Sequence, residues 1–255
     1  MWGGLADGQG LERADAKEAY LFTRRAFEIS EQFSVPVILR LTTRICHVKG
    51  VVNFSERSEH TLSQGFVKDP GRLIMTPGVA RQRLPLMFER EAEIQRYSEA
   101  SELNRIETGS DTRIGFITSG PTYMHVREAF PDAPLIKLGL SYPVPFDKIR
   151  ELAKTVDQLV IAEEIEPILE TELKAAGISL LGKEILPRIG ELSPNVLRPA
   201  VARLLGEEPV AEAPAPRAPI EIKAPAKQVD PKTGVELFPR PPTMCVACPH
   251  LGIYY

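Results

Sequence analysis

From Arg113 to Gly206 the chain alternates short, mainly apolar runs with amphipathic stretches, and this alternation restricts the fold more than any other feature. RIGFIT from Arg113, LIKLGL from Leu135, QLVIAEE from Gln158, ending in Glu163 and Glu164, and the short ISLLG from Ile178 are predicted as strands. Between the first two, Ser119-Gly120-Pro121 turns the chain, with Pro121 suited to the first position of a helix running to about Phe130. PVPFDKIRELAKTV becomes a helix with Phe146, Ile149, Leu152, Ala153 and Val156 facing inward. PILETELKAAG is a helix closed by Gly177, and Ser193-Pro194 opens a last helix that Gly206 ends. Strict alternation of this kind implies an α/β fold, a three-layer αβα arrangement around a mostly parallel sheet.

Upstream, Asp15 to Phe33 is predicted as a helix. Ala19, Phe22, Ala26, Ile29 and Phe33 fall at spacings of three and four, Asp15 is placed to cap it, and Glu18 occupies the capping-box position. VPVILRL then reads as a buried strand. Residues 48–85 are loop-rich, with Gly50, Pro70, Gly71, Pro77, Gly78 and Pro85. From Leu86 to about Ile106 a charged segment free of Gly and Pro is predicted as an exposed helix bridging two domains. The stretch from Glu207 to Pro242 is rich in Pro, Ala and charge, with few apolar residues at any period, and is read as an extended linker or strap.

Composition narrows the class of partner. Apolar residues at 43% and charged residues at 25% are ordinary for a globular protein, and a net charge of −3 calls for neither nucleic acid nor an anionic membrane. No apolar run approaches the ~20 residues that span a bilayer, and MWGGLADGQG has no signal-peptide pattern. Cys46, Cys245 and Cys248 are too few for a disulfide scaffold, so a cytoplasmic location is expected.

Three places carry residues suited to chemistry. Cys245 and Cys248, followed by His250, have the spacing of a metal or cluster site, or of a redox disulfide. Two cysteines and a histidine do not close a four-ligand site. The chain runs only seven residues past Cys248, so further ligands are expected downstream. The end of the VPVILRL strand presents Thr42, Thr43, Arg44 and His47, and an Arg beside hydroxyls suits a carboxylate or phosphate. The alternative is a strand end whose polar groups satisfy only the backbone. Ser119-Gly120 lies where a strand turns into a helix whose N–H groups suit an anion, although most such turns hold none. Glu163-Glu164, after a strand, is a general base, a hydrogen-bond anchor or an ordinary helix-start carboxylate. His60 and His125 lack a convincing partner set and are read as structural or surface residues.

Several stretches in order resemble one family. AKEAYLFTRRAFEISEQF and PVILRLTTRICHVKGVV are similar to the end of the first domain of indolepyruvate:ferredoxin oxidoreductase large subunits. RIGFITSGPTYMHVREAF, LGLSYPVPFDKI, LVIAEEIEPILETELKAAGI and GKEILPRIGELSPNVLRPA resemble its second domain, and FPRPPTMCVACPHLGIYY resembles the opening of its thiamine-diphosphate-binding domain. Leu251 stands where that family usually has Arg, and MWGGLADGQG does not match.

The resemblance implies a domain like the C-terminal domain of transketolase, preceded by part of a thiamine-pyrimidine-type domain. It implies oxidative decarboxylation of indolepyruvate and other aryl pyruvates to aryl-acetyl-CoA, with thiamine diphosphate, Mg²⁺, coenzyme A and a [4Fe-4S] cluster. Ferredoxin would be the acceptor, and a smaller second subunit and the remainder of the large subunit the partners. By resemblance Cys245 and Cys248 are cluster ligands; Thr43, Arg44 and His47 are candidate catalytic residues, and Ser119 and Gly120 candidate cofactor contacts. The expected division is residues 1–55 as the end of the first domain, 56–112 as loop and bridging helix, 113–206 as the transketolase-like domain, 207–238 as linker and 239–255 as the start of the thiamine-binding domain. The expectation is an internal fragment, inactive by itself. The competing readings are a non-catalytic dimerisation module and a different thiamine-dependent 2-oxoacid enzyme.

Overall fold

A computed structural model describes residues 9–12, 14–56, 68–208, 228–229, 232–234 and 236–237 of the chain. The chain divides into two compact units, Met1–Pro214 and Ala215–Tyr255. The first holds β1 (Gln9–Glu12), α1 (Ala16–Phe33), β2 (Val37–Arg40), α2 (Thr43–His47), α3 (Pro70–Leu73), α4 (Pro77–Ala100), β3 (Asn104–Glu107), β4 (Ile114–Ser119), α5 (Thr122–Ala129), β5 (Leu135–Leu138), β6 (Leu140–Tyr142), α6 (Phe146–Ala153), β7 (Gln158–Ala162), α7 (Ile168–Ala175) and α8 (Pro194–Leu204). The second holds a hairpin of β8 (Gln228–Val229) and β9 (Glu236–Leu237).

The expected α/β architecture is present. One sheet has the order β3-β5-β4-β7, with β5, β4 and β7 parallel and β3 antiparallel at the edge. Ile114, Phe116, Leu135 and Val160 face a core shared with Val126 of α5 and Leu197 and Val201 of α8. Ile117, Ile136, Leu159 and Ile161 face the other way, onto Ile149 and Leu152 of α6 and Leu169 and Leu173 of α7. Helices thus cover both faces, and this explains why the strands carry no polar alternation.

Several local expectations are corrected. VPVILRL is not a buried strand: only Val37–Arg40 is β, and Ile38 is half exposed, while Val37 and Leu39 pack inward. β2 is the outer strand of a second sheet, β2-β1-β6, and only one of its faces is covered by α1. ISLLG contributes a single bridge, Val160 to Leu181, in place of a fourth strand. The bridging helix starts at Pro77, tolerates Pro85, and ends at Ala100, where the chain turns into β3. The stretch read as a linker contains the β8–β9 hairpin.

The N-terminal elements are tied to the main sheet at several points. β6 follows β5 after Gly139 alone and pairs antiparallel with β1. A Cβ at position 139 would lie 2.5 Å from the Leu103 carbonyl oxygen and 2.9 Å from the Phe22 ring, so only glycine fits this crossing. Asp15 caps α1 as expected, accepting from the Glu18 amide at 2.8 Å. Glu18 departs from the capping box. It accepts from the Ala14 amide at 2.9 Å and pairs with the buried ammonium of Lys137 on β5.

Beside that pair, Glu107 accepts from Arg105 at 2.8 Å, Tyr123 at 2.9 Å and Arg127 at 2.5 Å. Burial alone would raise the Glu107 pKa, but these three donors outweigh it and hold the carboxyl below its ordinary value. A carboxyl with a depressed folded-state pKa stabilises the fold above the unfolded-state value, about 4.3, and loses that contribution as pH falls through the folded-state value. Glu107→Gln is therefore expected to lower the denaturation midpoint at pH 7, with the deficit narrowing below about pH 4. An equal deficit at pH 7 and in strong acid would show that the ionised carboxylate is not what matters.

Candidate functional site

The strand order creates a crevice. β4 leads through α5 to β5 on one side, and β5 returns through β6 and α6 to β7 on the other side. α5 and α6 lie on opposite faces of the sheet. Past the carboxyl ends of β4 and β7, the two chain segments depart in opposite directions. In open α/β sheets this is where ligands bind. The β4 turn is Ser119-Gly120, and Gly120 has φ 54°, a left-handed conformation that glycine adopts without a steric penalty. The β7 turn is Glu163 to Pro167.

Arg44 reaches this crevice from α2. Its Nη2 donates to Glu164 Oε1 at 2.8 Å and Oε2 at 3.2 Å, its Nε lies 3.3 Å from Glu191, and its Nη1 lies 3.0 Å from His125 Nε2 on α5. Thr42 caps α2, its Oγ1 accepting from the Ile45 amide at 3.5 Å. The guanidinium is half-buried.

The β7 turn is held on several sides. Glu163 accepts from the amides of Leu169 at 3.1 Å and Glu170 at 3.3 Å, at the start of α7. Lys183 Nζ donates to the Glu163 carbonyl, and burial pushes this lysine below its usual pKa against the pull of Glu163, Glu170 and Glu164. Glu164 also accepts from the Leu192 amide at 3.1 Å, and Arg188 pairs with Glu166 at 2.6 Å. These anchors hold Ile165 at φ 65°, a conformation that β-branched residues rarely adopt.

Of the residues singled out in the sequence, Arg44 and Glu164 meet in this crevice. Ser119 and Gly120 form its β4 rim. Thr43, Cys46 and His47 are exposed on α2. His60, Cys245, Cys248 and His250 lie outside the described residues. His125, read from the sequence as lacking a convincing partner set, does have one in Arg44, 81 positions away along the chain, and Glu191 joins the same cluster; neither carries a local signal. Among the described residues no group of three or more His, Cys, Asp and Glu is placed to hold a metal ion, and no helix is long and apolar enough to cross a membrane.

No family model matches the chain. It is 33% identical over 258 residues to the indolepyruvate oxidoreductase subunit IorA of Methanothermobacter thermautotrophicus, covering 96% of this chain and 39% of that protein. It is 33% identical over 261 residues to the subunit of the same name from Thermococcus kodakarensis, with the same coverage of both. The chain thus spans about two fifths of the length of these relatives. A solved structure of 2-oxoglutarate:ferredoxin oxidoreductase from Magnetococcus marinus superposes with a TM-score of 0.52 at 14% identity, over 78% of this chain and 42% of that one. At that identity the likeness is one of fold.

Proposed function

We propose, from the premise that this chain belongs to the family of the indolepyruvate oxidoreductase subunit IorA, that it forms part of an enzyme oxidatively decarboxylating indolepyruvate and other aryl pyruvates to aryl-acetyl-CoA, with ferredoxin as electron acceptor. The observation that carries this reading is the alignment of 96% of the chain with relatives of that name. The rest of the large subunit, a smaller subunit and coenzyme A complete the proposed system, and the 255 residues alone are expected to show no turnover.

Arg44 is our choice for the substrate carboxylate. It is a planar donor at the carboxyl-end crevice, and its TTRICH context carries the family resemblance. A substrate carboxylate there would compete with Glu164 and Glu191 for the same N–H groups. Thr43 and His47, exposed on the same short helix, are the further hydrogen-bonding groups proposed beside it. Ser119 and Gly120 are proposed to offer backbone N–H groups to an anionic part of a cofactor.

Thiamine diphosphate with Mg²⁺, which when bound supplies the carbanion chemistry of decarboxylation, and a [4Fe-4S] cluster on Cys245 and Cys248 are proposed from family membership. Cys245 and Cys248 lie outside the described residues, and among the described residues no group of three or more His, Cys, Asp and Glu is placed to hold a metal ion.

The test is indolepyruvate-dependent, coenzyme-A-dependent reduction of ferredoxin by the assembled enzyme under anaerobic conditions. Arg44→Lys keeps the charge but loses the fork. It should lower kcat/KM by about 2–3 kcal/mol, or roughly 30- to 150-fold. Unchanged kcat/KM would remove Arg44 from the role.

A further inference from the structure

We infer that His125 is a positioning residue for Arg44 and that its protonation releases α2 from the crevice. The catalytic significance rests on the proposal that Arg44 takes the substrate carboxylate; the latch itself does not.

A guanidinium has only N–H donors. Arg44 Nη1 lies 3.0 Å from His125 Nε2, so a hydrogen bond there requires a lone pair on Nε2 and the ring proton on Nδ1. Neutral His125 therefore fixes one side of the guanidinium while Glu164 and Glu191 hold its other nitrogens. Adding a proton turns Nε2 into a donor that points at an N–H group, and sets two cations against each other.

The surrounding charges decide how the contact responds. From α2 comes Arg44; from the β7 turn, Glu164; from the segment before α8, Glu191. Along α5 itself stand Arg127, which is occupied by Glu107 and the carbonyls of Pro131 and Ala133, and Glu128, whose carbonyl takes Arg198 of α8. Glu164 and Glu191 are the carboxylates that Arg44 holds. A proton on His125 would repel Arg44 and loosen the contact between them. α2 is only five residues long, half-buried through Arg44 and buried through Ile45, and depends on such anchors to keep its place.

The experiment is amide hydrogen exchange of the 255-residue chain at pH 7.5 and 5.5, corrected for the intrinsic pH dependence of exchange. The α2 amides, Cys46 among them, should lose at least fivefold in protection at the lower pH, while β4 amides stay protected. His125→Gln supplies a non-titrating acceptor and should hold α2 protection within twofold across the same range. Arg44→Met should leave α2 poorly protected at both. Equal protection of wild-type α2 at both pH values, or an undiminished fall in His125→Gln, would overturn the inference. Should His125→Gln fail to fold, the wild-type chain still decides. The His125 ring-proton titration followed by NMR must coincide with the loss of α2 protection, and a clear separation of the two counts against the latch. None of these readouts involves aryl pyruvate, so a negative result here is distinct from a failure of the Arg44 assignment.

Discussion

Replacing Glu18 by alanine is expected to destabilise the first unit by about 3–5 kcal/mol, because it strands a buried ammonium. Lys137 is 1% exposed on β5 and Glu18 contacts it directly from α1. The same carboxylate accepts from the Ala14 amide at 2.9 Å, so the substitution also leaves a buried N–H without its acceptor. The Tyr123 ring, 4.4 Å from the ammonium, recovers only part of the loss.

Burial pushes the Lys137 pKa below the usual lysine value, with Glu18 opposing it. A base with a depressed folded-state pKa destabilises the fold fully below that value, and the penalty is relieved as pH rises toward the unfolded-state value, about 10.4. With the opposing carboxylate gone, the deficit of Glu18→Ala should shrink as pH is raised into the alkaline range. A second variant, Glu18→Leu with Lys137→Met, removes both charges, and it should recover most of the loss, since replacing a buried pair by apolar groups is often neutral or stabilising. Denaturant midpoints of the three proteins decide the matter. A single-variant loss below about 1 kcal/mol would mean that water reaches Lys137.

Phe116→Ala is expected to cost about 3–5 kcal/mol through the cavity it leaves, or roughly 6 to 20 °C in Tm. Phe116 is fully buried in the middle of β4, between Leu135 of β5 and Val160 of β7, and stacks on Phe130 with ring centroids 4.8 Å apart. Phe54→Ala is the control. Phe54 is 82% exposed and meets Tyr20 edge-on at 5.5 Å, so its removal should stay within about 1 kcal/mol. Comparable losses in the two variants would contradict the assignment of the core.

The contrast between these two phenylalanines is legible in part from the chain alone. Phe116 sits in an unbroken apolar run, the signature of a strand covered on both faces, and it is found there. Likewise the stripe of Ala19, Phe22, Ala26, Ile29 and Phe33 marks the inner face of α1, where Phe22, Ala26, Ile29 and Phe33 are buried and Ala19, near its start, is partly exposed. These patterns are local, with periods of a few residues, so a short window of sequence holds all the information they need. Lys137 shows the limit. It lies inside the LIKLGL run, and nothing near it in the chain announces a carboxylate 119 residues earlier. β6 shows the same limit: LGLSY reads as the tail of one strand, and only pairing with β1 separates it from β5.

The candidate site divides in the same way. Arg44 and the Ser119-Gly120 turn stand out through residue type and position at element ends, which the sequence determines by itself. That Arg44 is shared among Glu164, Glu191 and His125 was decided by tertiary structure alone. Strand and helix identity come from short-range sterics and hydrophobic period, which neighbours along the chain settle. Ion pairing and sheet edges join residues distant in sequence, and their partners exist only once the fold has closed the intervening loops.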